Sequence, residues 1–110
     1  MLPKAYRLPA SQFALVKSKG KLIQTPLFGL LILSSSQPKT RFGFIVSTKL
    51  SSKAVVRNRL RRSLREGLRP LLPSISPGHD FIILAKHQSL TARLNQISHT
   101  FHEILAPYLN

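Results

Sequence analysis

One segment of the sequence, KAVVRNRLRRSLREGLR at residues 53–69, constrains the fold more than any other. It holds seven Lys and Arg in seventeen positions and one acid, Glu66. On a helix of about 100° per residue, the apolar residues of this region fall within an arc of roughly 120°, wide enough to lie on a sheet. These residues are Val56, Leu60, Leu64, Leu68 and Leu71. The pattern predicts a helix anchored to a sheet by one face and carrying arginines around most of the remainder.

This concentration of like charge needs an anionic partner, because close cations on a helix repel by roughly a few tenths of a kcal/mol per pair. The whole chain has 17 Lys and Arg against 3 Asp and Glu, a net charge of +14. Solvated helix faces usually mix signs. The planar guanidinium of arginine also suits bidentate phosphate contacts and stacking on bases. The composition therefore favours a nucleic-acid partner.

Among anionic partners, a membrane and DNA fit the pattern less well than RNA. A membrane-surface helix inserts its apolar face into lipid, whereas here that face is needed to cover the sheet. No helix-turn-helix partner precedes the basic helix and no heptad zipper follows it, as DNA readers would require. Irregular RNA presents phosphates and exposed bases in three dimensions, where a rigid arginine helix can dock. The sequence predicts RNA binding, with neither a membrane nor DNA as partner.

Hydrophobic periodicity predicts the remaining elements. They are a short helix over about 10–18, apolar runs at 27–33 and 41–47 that form a hairpin across SSSQPKT, the basic helix to about Leu72, a central strand at 80–85, and a last helix opened by Thr91. Ser51 or Ser52 is expected to cap the basic helix, and Pro70 and Pro73 to end it. The order αββαβα, with room for an extra short strand, predicts one α+β domain over residues 1–110, a two-layer α/β sandwich.

The alternation of strand residues predicts which side chains face the core. In the run 41–47, Phe42, Phe44 and Val46 share the face that we assign to the core. Gly29, Leu31 and Gly43 lie on the opposite face, which we expect to form an open, shallow surface of the sheet.

The chain offers little for acid–base or metal chemistry of its own. Its three carboxylates, Glu66, Asp80 and Glu103, fall in different elements, and Glu66 is expected to pair with Arg62 or Arg69. His99 and His102 in HTFHE match no metalloprotease motif, and there is no Cys. The longest apolar run, LFGLLIL, is far short of the roughly 20 residues that cross a bilayer, and MLPKAYRLPA lacks the apolar stretch of a signal peptide. We expect a cytoplasmic, non-catalytic chain with no metal or cofactor of its own.

The stretch RFGFIVSTKLSSKAVVRNRLRRSLRE closely resembles the signature of the bacterial ribonuclease P protein subunit, with Arg-x-Gly in a strand and an Ala-Val-x-Arg-Asn-Arg helix. YRLPASQFALVKSKG and GHDFIILAKH extend the resemblance over nearly the whole chain. The resemblance implies an accessory subunit of an endoribonuclease, a hydrolase that removes the 5′ leader from precursor tRNA. Its implied partners are the ribonuclease P RNA, which carries the active site with magnesium, and the precursor tRNA.

The resemblance also implies two sets of contact residues. The positions for docking the catalytic RNA are Lys49, Lys53, Arg57, Asn58, Arg59, Arg61, Arg62, Arg65 and Arg69. The positions for the leader, in a cleft between the first helix and the sheet, are Phe13, Lys17, Leu31 and Gly43. Lys17 stands where many relatives have a second Phe, and Leu31 where some have Tyr. We therefore expect a leader contact with less base stacking and more charge, supplied by Lys17, Lys19 and Lys21.

Two other functions remain open from the residues alone. A ribosomal or other structured-RNA-binding protein could use the same basic α+β layout, and it would differ in the RNA that it binds. A stand-alone nuclease would differ in cleaving RNA without an RNA subunit.

Overall fold

The computed structural model describes residues 2–110, which form seven helices and strands in the order αβββαβα. They are α1 (Ala10–Lys19), β1 (Lys21–Gln24), β2 (Phe28–Ser34), β3 (Arg41–Ile45), α2 (Ala54–Leu68), β4 (His79–Ala85) and α3 (Leu94–Leu105). Short 3₁₀ turns lie at Lys4–Tyr6, Arg69–Ser74, His87–Thr91 and Ala106–Tyr108. The predicted α+β class is confirmed, and β1 is the extra short strand.

The sheet has the order β1-β2-β4-β3, so β4 lies between the two strands that the sequence paired as a hairpin. That hairpin prediction is wrong: β2 pairs antiparallel with β1 and β4, and β3 pairs in parallel with β4. Residues 81–83 of β4 are buried on both faces, as suits an interior strand. The α2 helix is then the crossover that a parallel β3–β4 pair requires.

The main core lies between the sheet and the pair α2 and α3. The rings of Phe28 and Phe101 stack with centroids 4.6 Å apart, and those of Phe42 and Phe81 at 4.9 Å. Gly67 allows the two helices to approach, because a Cβ there would lie 2.7 Å from Cγ2 of Ile97. The core face predicted for β3 is confirmed, since Phe42 is buried and Phe44 packs against the same cluster.

The opposite face of the sheet is partly covered by α1. Val16, Leu31 and Ile82 form a second apolar cluster there together with Leu8, and Phe13 packs against it. Leu31 is only 7% exposed. The expected open surface is therefore wrong at Leu31, because α1 places Val16 over it.

Helix boundaries differ from the sequence prediction at three points. The α2 helix ends at Leu68 and continues as a 3₁₀ turn, since Pro70 has no N–H to donate within an α-helix. The α3 helix begins at Leu94, and Thr91 belongs to the preceding 3₁₀ turn. No serine side chain caps α2; the N-cap residue is Lys53, and the hydroxyl of Ser51 accepts from the Lys53 N–H instead.

A bidentate ion pair joins the starts of β3 and β4. Nε and Nη2 of Arg41 donate to the two carboxylate oxygens of Asp80 at 2.9 and 2.7 Å. The side chains are 15% and 4% exposed, so the pair is withdrawn from water. The hydrogen bonds to Asp80 outweigh desolvation and raise the pKa of Arg41. This pair fixes the register of Arg41 opposite Asp80 at the parallel edge of the sheet.

Within residues 2–110, none of the helices is long and apolar enough to cross a bilayer.

Candidate RNA-binding site

The docking residues predicted on α2 and at its C-terminal end divide according to exposure. Those that point away from the sheet are exposed, and those one turn apart along the flank near β3 are half-buried. The exposed set is Asn58, Arg59, Arg62 and Arg69, and the half-buried set is Arg57, Arg61 and Arg65. Lys49 and Lys53 are exposed in the loop that leads into α2. The predicted docking residues are thus brought together on one helix and its entrance, although Arg65 lies on the flank rather than on the back.

Three of these side chains are held by neighbours within the chain. Nη1 of Arg57 donates to the backbone oxygen of Ser51 at 3.0 Å, which ties the entrance loop to the helix. Nη1 of Arg61 donates to Oδ1 of Asn58 at 2.9 Å. Asn58 therefore has its amide N–H groups left to donate to a partner. The predicted Glu66 pairing is confirmed with Arg69, at 3.4 Å.

Arg65 is subject both to burial and to repulsion from neighbouring arginines. Desolvation, followed by the neighbouring charges of Arg61, Arg62 and Arg69, lowers the pKa of Arg65. Because Glu66 is the one acid on α2, the helix leaves most of this positive charge uncompensated. An anion bound at the surface would relieve that repulsion.

A cleft opens beside α2, where the edge strand β3 meets α1 and the N-terminal segment. The cleft has a volume of about 240 Å³. It is lined by apolar and aromatic side chains and by arginines. The lining residues are Leu2, Arg7, Leu8, Phe13, Phe42, Gly43, Phe44, Arg61 and Arg65. We call this space the Phe13 cleft.

The Phe13 ring lies directly on the backbone of Gly43. A Cβ at position 43 would be 2.3 Å from Cζ of Phe13, closer than real Cβ contacts come. The sequence predicted both residues for the leader cleft, and the structure brings them into contact. Glycine is needed here because only a residue without Cβ lets the ring rest on β3.

The other two predicted cleft residues lie elsewhere. Lys17 is exposed on α1, one helical turn beyond Phe13, so its ammonium extends the positive charge along that helix. Leu31 does not line the Phe13 cleft; it packs beneath α1 in the second apolar cluster. It therefore lies between α1 and the sheet, and its contact with the leader stays a prediction.

Arg7 is the cleft residue that the sequence did not indicate. The N-terminal segment runs beside the free edge of β3, where Arg7 forms a parallel bridge with Phe42 and the N–H of Leu8 donates to the Phe42 oxygen at 2.9 Å. This long-range pairing carries the Arg7 side chain to the cleft. The Arg-Leu pair in YRLPA is part of the family resemblance, but the local sequence does not indicate that this segment pairs with β3.

We expect Gly43→Ala to displace Phe13 and to lower the free energy of unfolding by about 1–3 kcal/mol, the usual cost of overpacking. Gly29→Ala in β2 is the matched control. There the nearest contact would be Oε1 of Gln24 at 3.3 Å, at the end of a flexible side chain. Urea unfolding of both variants tests this, and equal losses would contradict the contact with Phe13.

Titratable groups outside this region do not cluster. Within residues 2–110, no three or more His, Asp or Glu side chains come together in a way that could hold a metal ion. His99, one of the two histidines of HTFHE, makes an exposed contact of 2.9 Å with Glu103, one turn further along α3. With Asp80 and Glu66 engaged by arginines, the described residues hold no pair of carboxylates arranged for acid–base catalysis.

Comparison with known proteins places this arrangement in a family. The family model described as Ribonuclease P matches residues 2–108, which include α2 and the Phe13 cleft. The chain belongs to the ribonuclease P protein family. It is accordingly a protein subunit of this tRNA-processing endoribonuclease and partners an RNA subunit, a separate molecule that carries the catalytic function.

Relatives of the ribonuclease P protein family match over most of their length. A ribonuclease P protein component of a Picosynechococcus strain is 34% identical over 94% of this chain and 87% of the relative. The ribonuclease P protein component of Microcystis aeruginosa is 41% identical over 77% of this chain and 75% of the relative. The Staphylococcus aureus RNase P protein structure superposes with a TM-score of 0.82 at 27% identity, covering 97% of this chain and all of that one. The Thermotoga maritima RNase P protein has the same fold, with a TM-score of 0.82.

Proposed function

We propose that this ribonuclease P protein docks the catalytic RNA through α2 and holds the 5′ leader of precursor tRNA in the Phe13 cleft. In this way it assists the endonucleolytic removal of the leader that leaves the mature tRNA 5′ end. One observation carries the proposal: an aromatic ring open to a cationic cleft lies directly beside an arginine helix with a single acid. These two surfaces suit two RNA segments of different structure.

The exposed side of α2 suits a folded RNA. Arg59 and Arg62 are exposed on a helix that is held in place, since Leu60 and Leu64 of the same helix are buried in the core. A guanidinium donates two parallel hydrogen bonds to one phosphate, which fixes orientation as well as adding affinity. Arginines held on a rigid helix can therefore engage phosphates that a folded RNA presents at fixed positions.

The Phe13 cleft suits a single strand. Proteins that hold single-stranded RNA combine a positive groove with aromatic rings on which bases stack. Phe13 and Gly43 supply such a platform, and Lys17 extends positive charge along α1. The 5′ leader is the single-stranded part of the precursor, so we assign it to this cleft.

The chemistry of the cleavage falls to the RNA subunit in this proposal. We expect magnesium to act there, since the described residues of this chain bring no three donors together. What this chain contributes is positive charge where two polyanions meet, and orientation of the leader. Because precursor tRNA is processed in the bacterial cytoplasm, we place its action there.

Cleavage of a precursor tRNA by the ribonuclease P RNA at low magnesium, with and without this protein, tests the proposal. We expect the protein to stimulate leader removal and to cleave nothing alone. Absence of stimulation, despite tight binding to ribosomal or other structured RNA, would favour the general RNA-binding alternative. Cleavage by the pure chain would indicate a stand-alone nuclease.

Phe13→Ala is expected to weaken holoenzyme binding of precursor tRNA by about 1–3 kcal/mol, the contribution of one base stacked on an aromatic ring. Mature tRNA, which has no leader, should bind the variant holoenzyme as it binds the original. Comparing the two dissociation constants measures the effect. Equal losses for both RNAs would exclude Phe13 from leader binding.

A further inference from the structure

The half-buried arginines of α2 face a different surface from the exposed ones. Arg57, Arg61 and Arg65 recur every four residues and so form one row along the flank of the helix. The last two of this row line the Phe13 cleft, whereas Arg59 and Arg62 do not. One helix thus presents cations to two separate surfaces.

The Phe13 cleft takes its arginines from two elements. Arg61 and Arg65 line it from α2, and Arg7 lines it from the N-terminal segment that borders β3. No carboxylate is among the residues that line it. An apolar, aromatic cleft bordered by arginines is complementary to a strand whose bases turn inward and whose phosphates turn outward.

The Arg61 side chain is held in place before any ligand binds. Its hydrogen bond to Oδ1 of Asn58, at 2.9 Å, limits the rotamers of the guanidinium. The remaining N–H donors of Arg61 are available to a phosphate. Asn58 thereby acts as a positioning residue for an arginine at the cleft.

We propose, resting on the function proposed above, that Arg7, Arg61 and Arg65 bind phosphates of the precursor tRNA leader while its bases lie over Phe13. Docking to the catalytic RNA then depends on the exposed row, represented by Arg59 and Arg62. This assignment moves Arg61 and Arg65 from the docking set implied by the sequence to the substrate side. A leader phosphate beside Arg65 would also offset the desolvation and the repulsion that lower its pKa.

The experiment uses the reconstituted holoenzyme and two precursor tRNAs, one with a long leader and one with a leader of a single nucleotide. The variants are Arg61→Gln/Arg65→Gln and the matched variant Arg59→Gln/Arg62→Gln, which removes the same charge from the same helix. Dissociation constants for each precursor and for the catalytic RNA are measured over a range of salt concentrations.

We expect Arg61→Gln/Arg65→Gln to weaken binding of the long-leader precursor by about a hundredfold, since each substitution removes a charge-assisted hydrogen bond. Its log–log salt slope should fall by about 1.4, because a single strand contributes about 0.7 per phosphate. Binding of the short-leader precursor and of the catalytic RNA should stay within about twofold of the original, because only screened, longer-range charge is lost there. Arg59→Gln/Arg62→Gln should instead weaken binding of the catalytic RNA and leave the preference for the long leader unchanged.

Three results overturn the inference. If Arg61→Gln/Arg65→Gln weakens binding of the catalytic RNA as much as the matched variant does, both rows dock that RNA. If the original holoenzyme prefers the long leader and the variant keeps that preference, the cleft arginines do not hold the leader, although the proposed function stands. A holoenzyme whose original protein gives no leader preference and no stimulation overturns both proposals.

Discussion

Asp80→Ala should lower the free energy of unfolding by about 3–5 kcal/mol, since it leaves a buried guanidinium without its partner. Arg41 is only 15% exposed and donates two hydrogen bonds to the lost carboxylate. The chain would also gain one unit of positive charge on a net charge of +14. Urea unfolding followed by circular dichroism measures the loss. Because the pair joins β3 to β4, the cleft beside β3 should loosen as well.

A double variant separates pairing from packing. Arg41→Met/Asp80→Leu replaces both charges with apolar side chains of similar size, which is often neutral or stabilising for a buried pair. We expect it to recover most of the stability that Asp80→Ala loses. A loss below about 1 kcal/mol for Asp80→Ala, the range of an exposed ion pair, would show that water reaches Arg41 and that the pair contributes little.

Arg59→Gln/Arg62→Gln is expected to weaken binding of the catalytic RNA by about a hundredfold. A hydrogen bond to a charged group contributes about 1.5–3 kcal/mol, and two exposed arginines are removed. The slope of log affinity against log salt should become shallower by about 1.4–1.8, corresponding to two phosphates. Titration of the protein with the ribonuclease P RNA at several salt concentrations provides both quantities.

Lys39→Gln, which removes one positive charge outside α2, is the control for the loss of charge. Lys39 is exposed in the loop before β3, where its ammonium lies 4.9 Å from the centre of the Tyr6 ring, away from α2. Its removal should change the affinity by no more than about twofold, because distant exposed charges are screened by salt. Equal effects of the two changes would mean that α2 contributes only its net charge.

Hydrophobic periodicity correctly predicted the elements whose burial follows from their own sequence pattern. The apolar arc of α2 places Leu60, Leu64 and Leu68 in the core, as found. The run 80–85 is apolar on both faces, and β4 is central. In a helix, residues three or four apart share a face, and in a strand, residues two apart do. Burial of these elements can therefore be predicted from the local sequence.

Strand pairing could not be obtained in this way. The sequence joined 27–33 to 41–47 because a short polar turn between apolar runs is typical of a hairpin. In the structure β4, which follows much later in the chain, pairs with both of them. Only 21–24, a weakly apolar segment, completes the other edge. Competition between distant partners decides the pairing, and no local pattern records it.

The candidate site was predicted residue by residue where a motif existed. Phe13 and Gly43, both expected in one cleft, are in contact, and the expected docking residues lie on α2 and beside its two ends. Their roles in RNA binding stay predictions. The burial of Leu31 and the cleft position of Arg7 were not predicted, because each depends on what packs against the residue. Leu31 is buried by Val16 of α1, and Arg7 is carried to the cleft by the bridge to Phe42.

The position of α2 as the crossover between β3 and β4 has a consequence for RNA recognition. Both ends of the helix are tied into adjacent parallel strands, and Gly67 seats it closely on α3. The backbone of the arginine helix is therefore ordered when the protein folds, and binding need not order it again. Association then loses mainly side-chain freedom, at about 0.5–1.5 kcal/mol for each immobilised side chain. A disordered basic tail of equal charge would lose backbone freedom as well, so this fold gains affinity through preorganisation.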